Sequence, residues 1–309
     1  MTRVAILLPC LNEAEALPIL FSQIREHIPE AVVHVFDNDS RDNTAEVAAA
    51  LGARVHQVVE RGKGRVVSRM FSDVDADVFL MVDGDGTYDL SNARQHIATV
   101  LAKNVDMLMG SRMESYAGSR SRRGHEVGNR LITWLVGVLF KRRFKDVLTG
   151  YRMMSRRFVK TAPVMADGFE VETMLTVHAL EIRCHVVEVP IRYLSRPGGS
   201  ASKLNTFRDG ARILRTIGYL LKEVRPLYFF SSAGAAFGIL SLAVGLPVVI
   251  EFLETGLVPR FPSAILAAAL MLIAVTSFTC GLILDSVAGQ RREMKRLAFL
   301  AMGIGDAPT

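Results

Sequence analysis

Short apolar runs alternate with longer mixed stretches along the first part of the chain, and each run ends in polar, acidic or glycine residues. The runs have the length of strands, and the mixed stretches have helical periodicity. Strands that alternate with helices need crossover connections, which predict an α/β fold with a mainly parallel sheet and helices on both faces. The predicted strands are Val4–Leu8, Val32–Phe36, Arg54–Val59, Val78–Val82 and Asp106–Gly110.

Further along, the pattern predicts a helix over Gly128–Phe140, which contains the single tryptophan, Trp134, and a strand over Val186–Tyr193. The helix is apolar enough either to pack on the domain or to lie at a membrane face. Leu204–Val224 then places apolar residues on one helical face and basic residues on a neighbouring face. Because a long apolar segment follows directly, this pattern predicts an interfacial helix.

Two segments, 227–250 and 263–284, contain no charged side chain. Each meets the length of roughly 20 residues that spans a bilayer. The sequence therefore predicts an α/β domain over 1–202, an amphipathic helix over 203–226, two transmembrane helices within 227–284 and a cytoplasmic tail over 285–309.

The formal net charge is +6, and the positions of the basic residues decide what it indicates. Much of the basic excess flanks the two apolar segments, which fits anionic lipid head groups and an anionic substrate better than nucleic acid. Flanks rich in Lys and Arg stay in the cytoplasm, so the N-terminal domain and both termini are expected there. The flanking residues are Lys203, Arg208, Arg212, Arg215, Lys222, Arg225, Arg291, Arg292, Lys295 and Arg296.

Two carboxylates, Asp83 and Asp85, follow the strand Val78–Val82 and are separated by Gly84. Negative charges this close repel unless a divalent ion or cationic groups neutralise them. An acidic surface turn is the alternative, since Asp and Gly are common in turns. The metal site is favoured because parallel strands bring their polar carboxyl ends to one edge, where open α/β sheets bind ligands.

Six short motifs follow one another along the first part of the chain. They are Pro9-x-x-Asn12-Glu13, Asp37-Asn38-Asp39-Ser40-x-Asp42-x-Thr44, Arg61-Gly62-Lys63-Gly64, Asp83-Gly84-Asp85, Gly110-Ser111-Arg112 and Thr149-Gly150-Tyr151-Arg152. Their order resembles that of family-2 glycosyltransferases, and the resemblance extends over nearly all of residues 1–225. The stretch from Arg196 to Leu204, followed by two apolar segments, is similar to the polyprenyl-phosphate branch of that family, the dolichol-phosphate mannose synthase type.

The resemblance implies a GT-A fold and an inverting transfer of a sugar from a nucleotide-sugar, expected to be a UDP-sugar, to a polyprenyl phosphate. Asp83 and Asp85 would hold Mg²⁺ or Mn²⁺, which stabilises the charge that develops on the leaving diphosphate. Asp146 joins these two as a candidate catalytic residue, because it stands where hydroxyl-using relatives keep an acid. The nucleotide would contact Pro9, Asn12, Glu13, Asp37, Asp39, Lys63 and Asp83.

The acceptor side should be cationic, since guanidinium groups match phosphate oxygens. A solvated surface position is the alternative for each cation alone, and their place between the nucleotide edge and the membrane helix favours the phosphate role. A phosphate monoester is ionised near neutral pH, so proximity and electrostatics suffice without a strong general base. The candidates are Arg112, Arg123, Arg130, Arg196 and Lys203.

Some questions stay open at this stage. Gly86-Thr87-Tyr88-Asp89 stands where mannose synthase has a glutamine and a histidine, so the donor sugar is not determined, and Glu170 and Glu172 either shape its pocket or cap a helix. The alternatives are a family-2 enzyme acting on a hydroxyl group of a lipid or polysaccharide, and an inactive membrane scaffold. The expected partners are a nucleotide-sugar, a polyprenyl phosphate and the bilayer, with a homo-oligomer left open.

Overall fold

The computed structural model describes residues 2–112, 123–164, 171–194 and 206–303, without the side chains of 123–127 and 206–214. The chain divides into two compact units. The first unit joins Met1–Ile213 to Lys295–Thr309, and the second unit is Leu214–Met294.

The strands are β1 Val4–Cys10, β2 Val32–Asp37, β3 Arg54–Gln57, β4 Val78–Met81, β5 Met107–Ser111, β6 Arg152–Ser155 and β7 Val186–Pro190. The helices are α1 Leu17–His27, α2 Thr44–Ala50, α3 Lys63–Asp73, α4 Ala93–Ala102, α5 Arg123–Phe140, α6 Arg156–Thr161, α7 Val171–Glu181, α8 Thr206–Val224, α9 Pro226–Thr255 and α10 Phe261–Ala301.

All seven strands form one sheet in the order β3-β2-β1-β4-β6-β5-β7. β6 runs antiparallel to β4 and β5, and the other neighbouring pairs are parallel. The predicted mainly parallel sheet is confirmed, but the pattern did not predict β6. Its four residues begin with Arg152 and are too few to show a strand period.

The core has two layers because β1 is covered on both faces. Successive strand residues point to opposite sides of a sheet. Ile6 and Leu8 pack with residues of α1 and α4, whereas Ala5 and Leu7 pack with residues of α3 and α7. A strand buried on both faces must be apolar throughout, which is why Val4–Leu8 reads as a continuous run.

Proline sets the ends of two elements. The residues after Asn12 form a loop, and α1 begins at Leu17, where Pro18 fits the first helical turn. β7 ends at Pro190, which has no N–H to continue the ladder. Tyr193, the predicted strand end, forms an isolated bridge to Tyr88.

The second unit contains α9 and most of α10. These helices are long and apolar enough to cross a membrane by length and composition. Small residues let them approach closely: a Cβ at Gly234 would lie 2.9 Å from the carbonyl oxygen of Ala274. The Ser241 hydroxyl donates to the carbonyl oxygen of Ala267 at 2.7 Å.

The last turns of α10 belong to the first unit. Phe299 is only 2% exposed and joins the layer that contains α3 and α7. Lys295 pairs with Glu181 at 2.8 Å, and Arg296 donates to the carbonyl oxygen of Ile182, so both cations hold the carboxyl end of α7. Part of the predicted cytoplasmic tail is therefore an ordered helix packed on the sheet domain.

Candidate active site

The carboxyl edge of the sheet collects the predicted motifs. β1, β2, β4 and β5 all end at this edge, and β6 begins there because it runs in the opposite direction. Arg152, the first residue of β6, lies in register with Met81 of β4 and Met109 of β5. The residues after β4 and β5 and those before β6 are therefore neighbours in space.

The loop after β1 is tied to the loop after β2. The backbone N–H of Asn12 donates to the Ser40 hydroxyl at 2.9 Å, and the Asn12 side chain accepts from the N–H of Arg41 at 2.7 Å. The N–H of Glu13 donates to the Thr44 hydroxyl at 3.0 Å. These bonds hold Asn12 in the left-handed region, at φ 57°. The predicted nucleotide residues that follow Pro9 are thus fixed against the second predicted motif.

The second motif is ordered by its own side chains. Asp37 is buried and accepts a short hydrogen bond from the Ser40 hydroxyl. Asn38 accepts from the N–H of Gly62 at 2.9 Å, which connects this loop to the start of α3. Asp39 is exposed and pairs with Arg61 at 3.1 Å. Asp37 and Asp39 therefore differ in setting, although the motif places them two residues apart.

Asp83 and Asp85 lie just beyond β4 with different degrees of exposure. The side chain of Asp83 is 28% exposed, whereas Asp85 is buried and accepts from both the N–H and the hydroxyl of Thr87. A Cβ on Gly84 would overlap the Cys10 sulfur, and one on Gly150 would overlap the Asp83 carboxylate. Glycine is required at both positions because the neighbouring groups come so close.

Lys63 joins the acidic pair to a distant helix. Its Nζ lies 2.5 Å from Asp83 Oδ1 and 2.5 Å from Glu172 Oε1. Burial alone would lower the pKa of Lys63, but the two carboxylates outweigh it and raise that pKa above its ordinary value. The amine is therefore a permanent positive charge between two carboxylates.

Sequence reasoning did not find this role of Glu172. The residue stands in the first turn of α7, far from Lys63 in the chain, and its side chain is 5% exposed. Its Oε2 has no hydrogen-bond partner. No local pattern could have revealed the pair, because only the packing of α7 against the sheet brings the two side chains together.

The residues present fit a divalent ion that is completed by a nucleotide. Among the residues that the structure describes, no three His, Cys, Asp or Glu side chains converge on one point. Mg²⁺ is usually held by one or two carboxylates together with substrate phosphates and water. Asp83 and Asp85 match that requirement, and the nucleotide diphosphate would supply the other ligands.

Asp146 and Arg112 form a second ion pair at the same edge. Arg112 Nε donates to Asp146 Oδ2 at 2.7 Å and Nη2 donates to Oδ1 at 3.1 Å, a two-pronged contact. Oδ1 also accepts from the Asn129 amide and from the N–H of Leu148. Burial would raise the pKa of Asp146, but the bonds from Arg112 and Asn129 lower it below its ordinary value. Asp146 is thus a fully buried, ionised partner of Arg112.

Arg152, the last residue of the motif Thr149-Gly150-Tyr151-Arg152, has a structural role that the sequence did not predict. It is fully buried, and its guanidinium donates to the carbonyl oxygens of Val147 and Glu172 at 2.8 and 2.7 Å. Burial lowers its pKa to about 10, which leaves it charged. It joins the segment after Asp146 to the start of α7, the two segments that carry Asp146 and Glu172.

Among the other predicted acceptor cations, only Arg130 has a described side chain. Arg130 is exposed on α5. Arg123 begins that helix, but its side chain lies outside the described part of the chain, as do Arg196 and Lys203 altogether. Their roles in binding a lipid phosphate stay predictions.

The family model described as Glycosyl transferase family 2 matches residues 5–161. This range contains nearly all of β1 to β6 together with Asp83, Asp85 and Asp146, whereas Glu172 lies beyond it. The chain belongs to glycosyltransferase family 2. It is 32% identical to glycosyltransferase AglJ of Haloferax volcanii over 96% of this chain and 98% of that protein. It is 25% identical to the undecaprenyl-phosphate mannosyltransferase of Micrococcus luteus over 64% of this chain and 86% of that protein.

The predicted GT-A fold is confirmed by solved structures. Glucosyl-3-phosphoglycerate synthase of Mycobacterium tuberculosis, in complex with Mn²⁺ and UDP-glucose, superposes with a TM-score of 0.57. The match is 21% identical and covers 72% of this chain and 78% of that one. The chain is therefore a family-2 glycosyltransferase with a GT-A fold.

Proposed function

We propose that the protein transfers a sugar, with inversion, from a UDP-sugar to a polyprenyl phosphate at the cytoplasmic face of a membrane. The hydrogen bonds to Asp146 are the observation that favours a phosphate acceptor over a hydroxyl acceptor. A hydroxyl acceptor needs a base, and Asp146 is a poor one because Arg112, Asn129 and the N–H of Leu148 occupy its oxygens. A phosphate acceptor is already ionised and needs only positioning.

The donor half of the proposal rests on the carboxylates and Lys63. A leaving nucleoside diphosphate needs positive charge, which Mg²⁺ or Mn²⁺ on Asp83 and Asp85 would supply by Lewis-acid stabilisation. The mycobacterial synthase that shares this fold binds Mn²⁺ and UDP-glucose. That likeness supports UDP as the nucleotide to be tested first.

A membrane location is supported by α5 as well as by α9 and α10. Three apolar side chains on α5 are exposed, Leu131 at 40%, Trp134 at 62% and Val138 at 54%, with the spacing of one helical face. The exposed Lys141 and Arg143 follow the helix. An apolar stripe with a tryptophan beside cations is typical of a helix that lies on anionic lipid.

The proposed phosphate acceptor is supported by the name of one relative and by the positive charge of Arg112. The Micrococcus protein carries undecaprenyl phosphate in its name. The Arg112 guanidinium, which Asp146 holds at the same edge of the sheet, would supply a cation for a phosphate through charge-assisted hydrogen bonds. AglJ, which is also named a glycosyltransferase, matches 96% of this chain over 98% of its own length.

The test is sugar transfer by membranes that contain the full chain. With a UDP-sugar, Mn²⁺ and undecaprenyl phosphate, we expect a labelled lipid-linked sugar that EDTA abolishes. Asp85→Asn should lower the rate by about 100-fold, the scale of removing one group that stabilises transition-state charge. The control is Asp73→Asn, a carboxylate on α3 that pairs with Arg69 away from the site, and its rate should be unchanged.

Three results would contradict the proposal. Labelling of a hydroxyl lipid but never of a lipid phosphate would show that the acceptor is wrong. Full activity of Asp85→Asn would remove the metal role of the acidic pair. No transfer from any nucleotide-sugar would favour the inactive scaffold.

A further inference from the structure

We infer that Lys63 is a tethered cation that occupies the metal-binding carboxylate of the free enzyme, so that the metal binds together with the nucleotide and not before it. The inference rests on the proposed metal-dependent function. Lys63 was predicted as a nucleotide contact, and its position between Asp83 and Glu172 gives it a second role.

The contacts of Lys63 carry the first step. Its Nζ is 2.5 Å from Asp83 Oδ1, the partly exposed member of the acidic pair. An ammonium at this distance offsets the charge of one carboxylate and so weakens the attraction of the site for a second cation. A divalent ion that approaches the free site meets the positive charge of Lys63 as well as the carboxylates.

The number of protein ligands carries the second step. The residues that the structure describes offer no group of three acidic, histidine or cysteine side chains. Hard divalent ions take six or more oxygen ligands, so two carboxylates, one of them bonded to Lys63, bind such an ion weakly. A diphosphate supplies further oxygens and also attracts Lys63 away from Asp83, which exposes the carboxylate as the other ligands arrive.

Glu172 is a second partner that Lys63 can keep when it leaves Asp83. Its Oε1 holds Nζ at 2.5 Å, and its buried Oε2 has no partner. When Asp83 turns to the metal, Glu172 can keep the ammonium paired, which avoids the cost of a buried unpaired charge. Glu172 is thus a positioning residue for Lys63. The backbone of Glu172 is in turn held by the guanidinium of Arg152.

Metal binding to the full chain in detergent tests the inference without catalysis. Mn²⁺ is titrated by calorimetry and by electron paramagnetic resonance, first alone and then with UDP. Lys63→Met should raise the affinity for Mn²⁺ alone by about tenfold, the scale expected when one close charge is removed from a partly screened site. The same variant should lower the affinity for UDP in the presence of Mn²⁺. Glu172→Gln, which removes the carboxylate that pairs with Lys63 besides Asp83, should weaken Mn²⁺ binding in the presence of UDP.

Arg65→Met is the matched control. It removes a cation from the same helix, but that cation pairs with Glu60. Its Mn²⁺ affinity should equal that of the wild type, and thermal unfolding should show that all variants are folded. Lys63→Gln, which keeps a polar side chain, replaces Lys63→Met if the latter does not fold.

The outcomes separate this inference from the proposed function. If wild-type protein binds Mn²⁺ with UDP, but Lys63→Met binds Mn²⁺ alone no better than the wild type, the tethered-cation role is wrong and the metal site stands. If no Mn²⁺ binds even with UDP, the metal dependence under the proposed function fails as well. Opposite changes in Mn²⁺ and UDP affinity in Lys63→Met would support the inference, since loss of a structural contact would lower both.

Discussion

Two ion pairs at the scale of single residues determine how charge is distributed in this site. Lys63 pairs with Asp83 and Glu172, and Asp146 pairs with Arg112. Lys63, Glu172, Arg112 and Asp146 are largely removed from water, so loss of one partner leaves a buried charge uncompensated. Under the proposed function, the first group would act on the donor and its metal, and the second would hold the Arg112 guanidinium for the acceptor.

Asp146→Asn tests the second pair. The substitution should cost about 3–5 kcal/mol of stability, as expected for a broken buried ion pair. It should also lower kcat/KM for the lipid phosphate at least about tenfold, because Arg112 loses its two-pronged partner. Thermal unfolding and steady-state kinetics on the same preparations measure the two effects.

Asp106→Asn is the control for the stability part. Asp106 is also buried and pairs with Arg157, but it precedes β5 and therefore lies at the opposite edge of the sheet. Its loss should destabilise the protein to a similar degree while the folded enzyme keeps its kcat/KM. Equal kinetic losses in both variants would show that Asp146 acts only through stability.

The Asp146 pair also has a defined pH dependence. Because its pKa is lower in the folded protein than the ordinary value of 3.8, folding is favoured by its ionised form. The contribution to stability is complete above that ordinary value and is lost as the pH falls through the lower folded pKa.

At the scale of elements, α5 has an exposed apolar stripe on one side and a contact with Asp146 on another. Its inner face is buried through residues such as Leu135 and Val136, while Trp134 is exposed on the outer face. Asn129 on the same helix donates to Asp146. One helix therefore carries both the stripe that we propose to contact lipid and a side chain that helps to position Arg112 through Asp146.

Trp134→Ala should weaken use of a long-chain polyprenyl phosphate. We expect KM for the long-chain acceptor in vesicles to rise several-fold, since an interfacial tryptophan is lost. A short, water-soluble isoprenyl phosphate should be used as before, because it does not require the membrane surface. Leu101→Ala, which removes an exposed apolar side chain from α4, serves as the control. An unchanged KM in Trp134→Ala would show that α5 does not contact lipid.

At the scale of the whole molecule, the chain leaves the first unit after Ile213 and returns to it at Lys295. Lys295 and Phe299 then pack on the sheet domain. A chain that crosses a membrane twice ends on the side where it began, which agrees with this return. The basic residues on both flanks of the apolar segments favour the cytoplasmic side.

Reporters fused to the two ends test this topology. A reporter at Thr309 and one at the N-terminus should both be active only in the cytoplasm, whereas one inserted at Gly256, between α9 and α10, should be active only outside. The paired insertion is the internal control for the assay. An external signal from Thr309 would contradict two crossings and the proposed location of the site.

The sequence by itself determined the class of the protein and much of its site. Period-two and helical patterns, together with the spacing of short motifs, were enough to predict an α/β domain, two apolar helices and the acidic pair after β4. They sufficed because these features are local: a buried parallel strand must be apolar, and polar residues at its carboxyl end meet those of its neighbours. Family membership followed from the same ordered motifs.

Only the tertiary structure decided which charges neutralise one another. Glu172 pairs with Lys63, and Arg112 pairs with Asp146, although the partners are far apart in the sequence. β6 was not predicted because its four residues form a strand only by pairing with β4 on one side and β5 on the other. In each case the partner is distant in sequence, and the interaction energy exists only after packing has removed both groups from water. Local pattern therefore predicted where the chemistry lies, and packing decided how its charges are paired.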